Sequence, residues 1–173
     1  MWSASTGSLH ATSMVPAETL PTPAEPTFVV HADFNKDGFE DLAVGNSSTN
    51  VVTVYWNRDL LAFDRQDVPT PFPPSHGFAG DLDGDGFDDL VVYNPGAAGQ
   101  LASVLNNGAG GWNSVKIANT ERLVASADAV DVDQDGKKDV VALDGSGTIF
   151  LLQNVPPGGL EEVASFAVAP AVQ

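Results

Sequence analysis

The sequence predicts an all-β protein made of β-propeller-type repeats: three four-stranded antiparallel blades, forming a partial or a self-associating propeller. Three observations carry this. One acidic motif recurs three times at nearly constant spacing. Each copy is flanked by short stretches rich in Val and aromatics and punctuated by Gly, Asn and Pro. No window places apolar residues at helical spacing between good caps.

The motif copies are "DFNKDGFEDLAVGN" from Asp33, "DLDGDGFDDLVVYN" from Asp81 and "DVDQDGKKDVVALD" from Asp131. Their starts lie 48 and 50 residues apart. Each reads D-x-[DN]-x-D-G-x-x-D-[LV] and runs into an apolar stretch.

The first strand of each unit precedes the loop, in "TFVVHAD", "HGFAGD" and "SADAVD". The second follows it, in "DLAVGN", "DLVVYN" and "DVVALD". A third is read in "VVTVYWN", "LASVLNN" and "TIFLLQN". After a turn, a bulky apolar residue stands six positions beyond an asparagine: Asn57 with Phe63, Asn106 with Trp112, Asn154 with Leu160. A last extended stretch, such as "SVKIAN" or "VASFAVA", closes the unit. A period near 50 with four strands is that of a propeller blade. The blades are therefore expected at 27–70, 71–122 and 123–173. Residues 1–26 form a proline-rich arm, in which "LHATSMVP" (9–16) resembles the outer strand of a preceding blade.

Composition narrows the function. The chain has 173 residues, 43% hydrophobic, enough for a core, and no cysteine. Disulfides and thiolate zinc sites are excluded. A net charge of −16, from 7 basic and 23 acidic residues, excludes a nucleic-acid footprint and disfavours an anionic membrane surface. No run of about 18 apolar residues is present, so no membrane insertion is expected. The opening "MWSASTGSLHATSM" lacks a basic segment followed by an apolar one, so no signal peptide is read in it.

The acidic loop is the main chemical feature. Side-chain oxygens stand at positions 1, 3, 5 and 9. They belong to Asp33, Asn35, Asp37 and Asp41 in the first copy, and to Asp81, Asp83, Asp85 and Asp89 in the second. The third copy supplies Asp131, Asp133, Asp135 and Asp139. Position 7, Phe39, Phe87 or Lys137, offers a backbone carbonyl, and Gly38, Gly86 or Gly136 at position 6 permits the sharp turn. Hard oxygen ligands at this density suit Ca²⁺, up to three ions, one per repeat. Zinc would want His or Cys, and His10, His31 and His76 are scattered singly. An EF-hand would need Glu at position 12, where Val44, Val92 and Ala142 stand. Lys137 and Lys138 are expected to make the third site the weakest.

These loops and their strands resemble the FG-GAP and VCBS repeats of integrin-α-type β-propellers, over about residues 27–169. The resemblance implies a calcium loop between the first two strands of each blade, carried by the loop residues just named. "LNNGAGGW" (105–112) resembles the hairpin turn of such repeats. The sequence departs from the pattern at Asn35, at the two lysines, and in lacking literal FG and GAP tripeptides.

Catalysis is not expected. No G-x-S-x-G elbow occurs, "DGSG" (144–147) reads as a hairpin turn, and each carboxylate pair is accounted for by the loops. Tyr55, Trp56, Tyr93 and Trp112 are expected to pack between blades, with Trp112 best placed for a surface role. The expected function is extracellular adhesion or recognition of a protein or carbohydrate ligand, with calcium mainly structural. Two alternatives are an accessory domain of a secreted polysaccharide-active enzyme and a structural spacer. Three blades leave unpaired faces, so a homo-oligomer completing a ring is a further expectation.

Overall fold

The computed structural model of the chain describes residues 19–23, 25–59, 62–96, 98, 100–118 and 120–168, without the side chains of 113 and 114. The reading of 9–16 as an outer strand, and His10, lie outside the described residues. No helix occurs among those described.

Among the described residues, twelve strands form three antiparallel sheets of four. Blade 1 comprises β1 (Pro26–Ala32), β2 (Asp41–Asn46), β3 (Val51–Asp59) and β4 (Ala62–Pro69). Blade 2 comprises β5 (His76–Gly80), β6 (Asp89–Tyr93), β7 (Leu101–Asn106) and β8 (Trp112–Ile117). Blade 3 comprises β9 (Val124–Val130), β10 (Asp139–Asp144), β11 (Thr148–Val155) and β12 (Gly159–Ala167). In each, neighbouring strands are consecutive in the chain. The first strands lie side by side, β1 against β5 and β5 against β9.

Two cores separate the three sheets. Ala43, Val52, Val54 and Trp56 of blade 1 meet Leu90, Val92, Ala102 and Val104 of blade 2. On its opposite face, blade 2 sets Val91, Tyr93, Leu101 and Leu105 against Val140, Ala142, Phe150 and Leu152 of blade 3. Both faces of blade 2 are thus covered, and every residue of β6 and β7 is buried. This is why those strands read as near-continuous apolar runs, whereas β11 alternates.

The residue after the first loop aspartate plugs the next interface. Phe34 is fully buried between blades 1 and 2, and Leu82 between blades 2 and 3. The equivalent Val132 is 45% exposed. On the same free side of blade 3, Leu143, Ile149 and Phe166 stand in register across β10, β11 and β12, all exposed. Tyr55, on the other side of blade 1, is instead buried, and its hydroxyl donates to the Pro21 carbonyl at 2.6 Å.

Candidate metal centre

The three acidic loops connect β1 to β2, β5 to β6 and β9 to β10, on the same side of every blade. Their backbone is pinned by one hydrogen-bond network, repeated three times. The position-1 carboxylate accepts the N–H of the position-6 glycine: Asp33 from Gly38 at 2.9 Å, Asp81 from Gly86 at 2.9 Å, Asp131 from Gly136 at 3.1 Å. The position-3 oxygen accepts from position 5, in Asn35 from Asp37, Asp83 from Asp85 and Asp133 from Asp135. Position 5 accepts from position 7, in Asp37 from Phe39, Asp85 from Phe87 and Asp135 from Lys137. Gly38, Gly86 and Gly136 have φ of 93°, 92° and 91°, a region open to glycine and costly for a side chain.

Position 9 differs from the others in depth. Asp41, Asp89 and Asp139 are fully buried. Each accepts two backbone N–H groups: Asp41 from Phe34 and Asn57, Asp89 from Leu82 and Asn106, Asp139 from Val132 and Asn154. Burial pushes Asp89 up to about 7, against the lowering effect of its two N–H donors, with Asp83 and Asp85 adding repulsion. Burial also raises Asp41.

Among the described residues, two carboxylate triples converge with ligand atoms within 4.8 Å: Asp81, Asp83 and Asp89, and Asp131, Asp133 and Asp139. The position-5 acids Asp85 and Asp135 fall outside these triples, and Oδ1 of each accepts one of the loop's own N–H groups. In the first loop Asn35 holds position 3, and its Nδ2 donates to Asp37 Oδ2 at 3.0 Å, so no carboxylate triple forms there. Among the described residues no donor reaches the carbonyls of Phe39, Phe87 or Lys137, which leaves them open as ligands.

The residues fit a hard cation. Asp131 Oδ1 is buried, and no described residue donates to it. A buried carboxylate oxygen without a donor is costly unless a cation faces it. The lysines of the flanking loops lie towards the middle one. Lys36 Nζ sits 5.2 Å from the centre of the Phe87 ring. The stem of Lys137 runs beside Gly84, and that of Lys138 beside Gly80. The two lysines read as weakening the third loop thus direct their stems at the second.

The role of the recurring asparagines of the third strands escaped the sequence reading. Asn57 Nδ2 donates to the Glu40 carbonyl, Asn106 Nδ2 to those of Asp88 and Phe34, and Asn154 Nδ2 to Asp139. These asparagines clamp the end of each loop. Their recurrence at one place in every repeat was the available signal. His31 pairs with Glu40, and His76 stacks on Tyr93. Trp112 turns inward, packing edge-on against Phe34 at 5.4 Å and beside Trp56 at 6.3 Å, rather than serving the surface. Trp112 is partly buried there, whereas Tyr55, Trp56 and Tyr93 are buried.

The sequence profile of the FG-GAP-like repeat matches residues 33–92 and 81–142, together more than half of the chain. The chain belongs to the FG-GAP-like repeat family. No curated protein sequence matches it. Among solved structures it is similar to a β-propeller chain in the crystal structure of BBS1N in complex with ARL6DN, at a TM-score of 0.57 and 16% identity. That match covers 84% of this chain and 40% of the other. The likeness is one of fold, and it agrees with three FG-GAP-like repeats arranged as propeller blades. Among the described residues no helix is long and apolar enough to cross a membrane.

Proposed function

We propose that this chain is a calcium-binding repeat module that acts by recognition, not catalysis, in an extracellular setting where calcium is plentiful. The observation that supports it most directly is the pair of carboxylate triples, one of which holds the undonated Asp131 Oδ1. Ca²⁺ suits these oxygens better than Mg²⁺, which keeps more water and takes fewer carboxylates.

Asp81, Asp83 and Asp89 would hold one ion and Asp131, Asp133 and Asp139 another, with the carbonyls of Phe87 and Lys137 in reach of each loop's ion. Asp33, Asn35, Asp41 and the Phe39 carbonyl form the third, less charged set. The bound ion supplies positive charge against clustered acids, and these residues tie the loop to the second and third strands of the blade. The role is structural, and the ligand recognised is a protein or a carbohydrate. The free face of blade 3 supports association with a second copy. Thermal melting tests the calcium role: millimolar calcium should raise the melting temperature of metal-stripped protein by several degrees, and an unchanged value would refute it.

A further inference from the structure

Three of the chain's 7 basic residues stand in the acidic loops, all of them in the two flanking loops. Lys36 holds position 4 of the first loop, and Lys137 and Lys138 hold positions 7 and 8 of the third. The second loop carries Gly84, Phe87 and Asp88 at those places, and with Asp88 it has five aspartates in nine positions. The loop with the densest negative charge thus has no cation of its own.

The fold brings positive charge to it from both neighbours. Lys138 N–H donates to the Asp81 carbonyl at 2.7 Å, which fixes the backbone of the third loop against the second. From there the Lys137 side chain crosses to Gly84, where an added Cβ would lie 3.0 Å from Lys137 Cε. The Lys138 stem comes equally near to Gly80, the residue before Asp81. On the other side, Lys36 Nζ stands 5.2 Å from the centre of the Phe87 ring and 3.2 Å from where a Cβ on Gly86 would be. None of the three lysines forms an ion pair with a described residue, so no single carboxylate cancels their charge. Burial raises the half-buried Asp88 carboxyl, with Asp81 adding repulsion, and Lys36 and Lys138 both act against that rise.

The third loop is left differently. Both oxygens of Asp81 accept N–H groups of their own loop, Oδ1 from Gly84 at 2.7 Å and Oδ2 from Gly86 at 2.9 Å. Of Asp131 only Oδ2 does so, from Gly136, and its buried Oδ1 has no donor among the described residues. A divalent ion entering the third loop therefore meets an oxygen with no competing donor, beside lysines whose stems lead away. One entering the second loop meets ammonium groups approaching from two sides.

We infer that Lys36, Lys137 and Lys138 lower the calcium affinity of the second loop, and that the third loop consequently fills first. This reverses the order expected from the places of the lysines in the sequence, and it makes the flanking blades set the occupancy of the middle one. It rests on the reading of the acidic loops as calcium sites.

The test follows amide signals of isotope-labelled, metal-stripped protein by NMR as calcium chloride is added. The N–H groups of Gly38, Gly86 and Gly136 each bond the first carboxylate of their own loop, so they report the loops one by one. Gly136 is expected to reach its midpoint at lower calcium than Gly86. Lys137→Met keeps the stem and removes the charge. It should lower the Gly86 midpoint about threefold, the order expected for one exposed charge facing a divalent ion within a Debye length, and should move Gly136 less. Lys116→Met, which takes the same charge from β8, should leave both midpoints in place. A Gly86 midpoint at or below that of Gly136 would overturn the inference. So would a Lys137→Met variant that moves Gly136 as much as Gly86 or more, or a Lys116→Met variant as effective as Lys137→Met. In each of those cases calcium still binds, and only the role of the lysines is lost. If none of the three signals responds, the calcium reading itself fails and takes the inference with it.

Discussion

The buried carboxylate of Asp89 accepts the backbone N–H of Asn106 at 2.8 Å, and through it the acidic loop of blade 2 is fastened to the blade's third strand. The same bond joins Asp41 to Asn57 and Asp139 to Asn154. The ninth loop position is thus a structural buttress as well as a candidate ligand.

Removing that buttress should matter even without metal. Asp89→Ala strands two buried N–H groups, those of Leu82 and Asn106, and should cost about 2–4 kcal/mol. Asp85→Ala frees only the exposed Phe87 N–H and should stay within about 0.5 kcal/mol of the parent. Urea unfolding of metal-stripped protein at pH 5.5, where Asp89 is largely protonated in the parent, compares the two. Equal losses would show that position 9 has no special structural part.

Acidity should govern the calcium effect. Burial raises Asp89 from 3.8 in the unfolded chain to about 7 in the fold. Between those values the native state binds the extra proton, so the metal-free fold loses stability from this group as pH rises from 4 to 7. A cation favours the carboxylate and displaces the proton. Melting with and without calcium at pH 5.5 and pH 8 should therefore show the larger calcium shift at pH 8. A shift that does not change with pH would contradict this.

Two equivalent loop residues should differ sharply. Phe34 is fully buried against Trp112, so Phe34→Ala should cost about 3–5 kcal/mol. Val132 stands in the same loop position of blade 3 but faces solvent, so Val132→Ala should cost under about 0.5 kcal/mol. Denaturant midpoints measure both.

The exposed row of Leu143, Ile149 and Phe166 should drive concentration-dependent association. The double variant Ile149→Thr, Phe166→Ser should reduce it, as read by light scattering. A parent chain that stays monomeric at every concentration would remove the basis for a completed ring.

Much of this was legible before the coordinates. Strand positions follow from Val-rich stretches between turn residues, and the loops from aspartates at alternate positions. The division of labour within a loop was not, because it is decided by backbone N–H groups. Spacing alone makes positions 5 and 9 look alike. Asp85 in fact caps a turn, while Asp89 reaches another strand. Nor could the inward turn of Trp112 be read, since its partner Phe34 comes from the preceding blade. The clamp from Asn106 to the Phe34 carbonyl spans 72 residues, beyond any local pattern.

Calcium uptake itself is the most direct test. Isothermal titration of metal-stripped protein should show saturable binding at the loops, with Asp81→Ala and Asp131→Ala each abolishing the share of its own loop. Absence of any heat or uptake at millimolar calcium, in protein shown to be folded, would contradict the account.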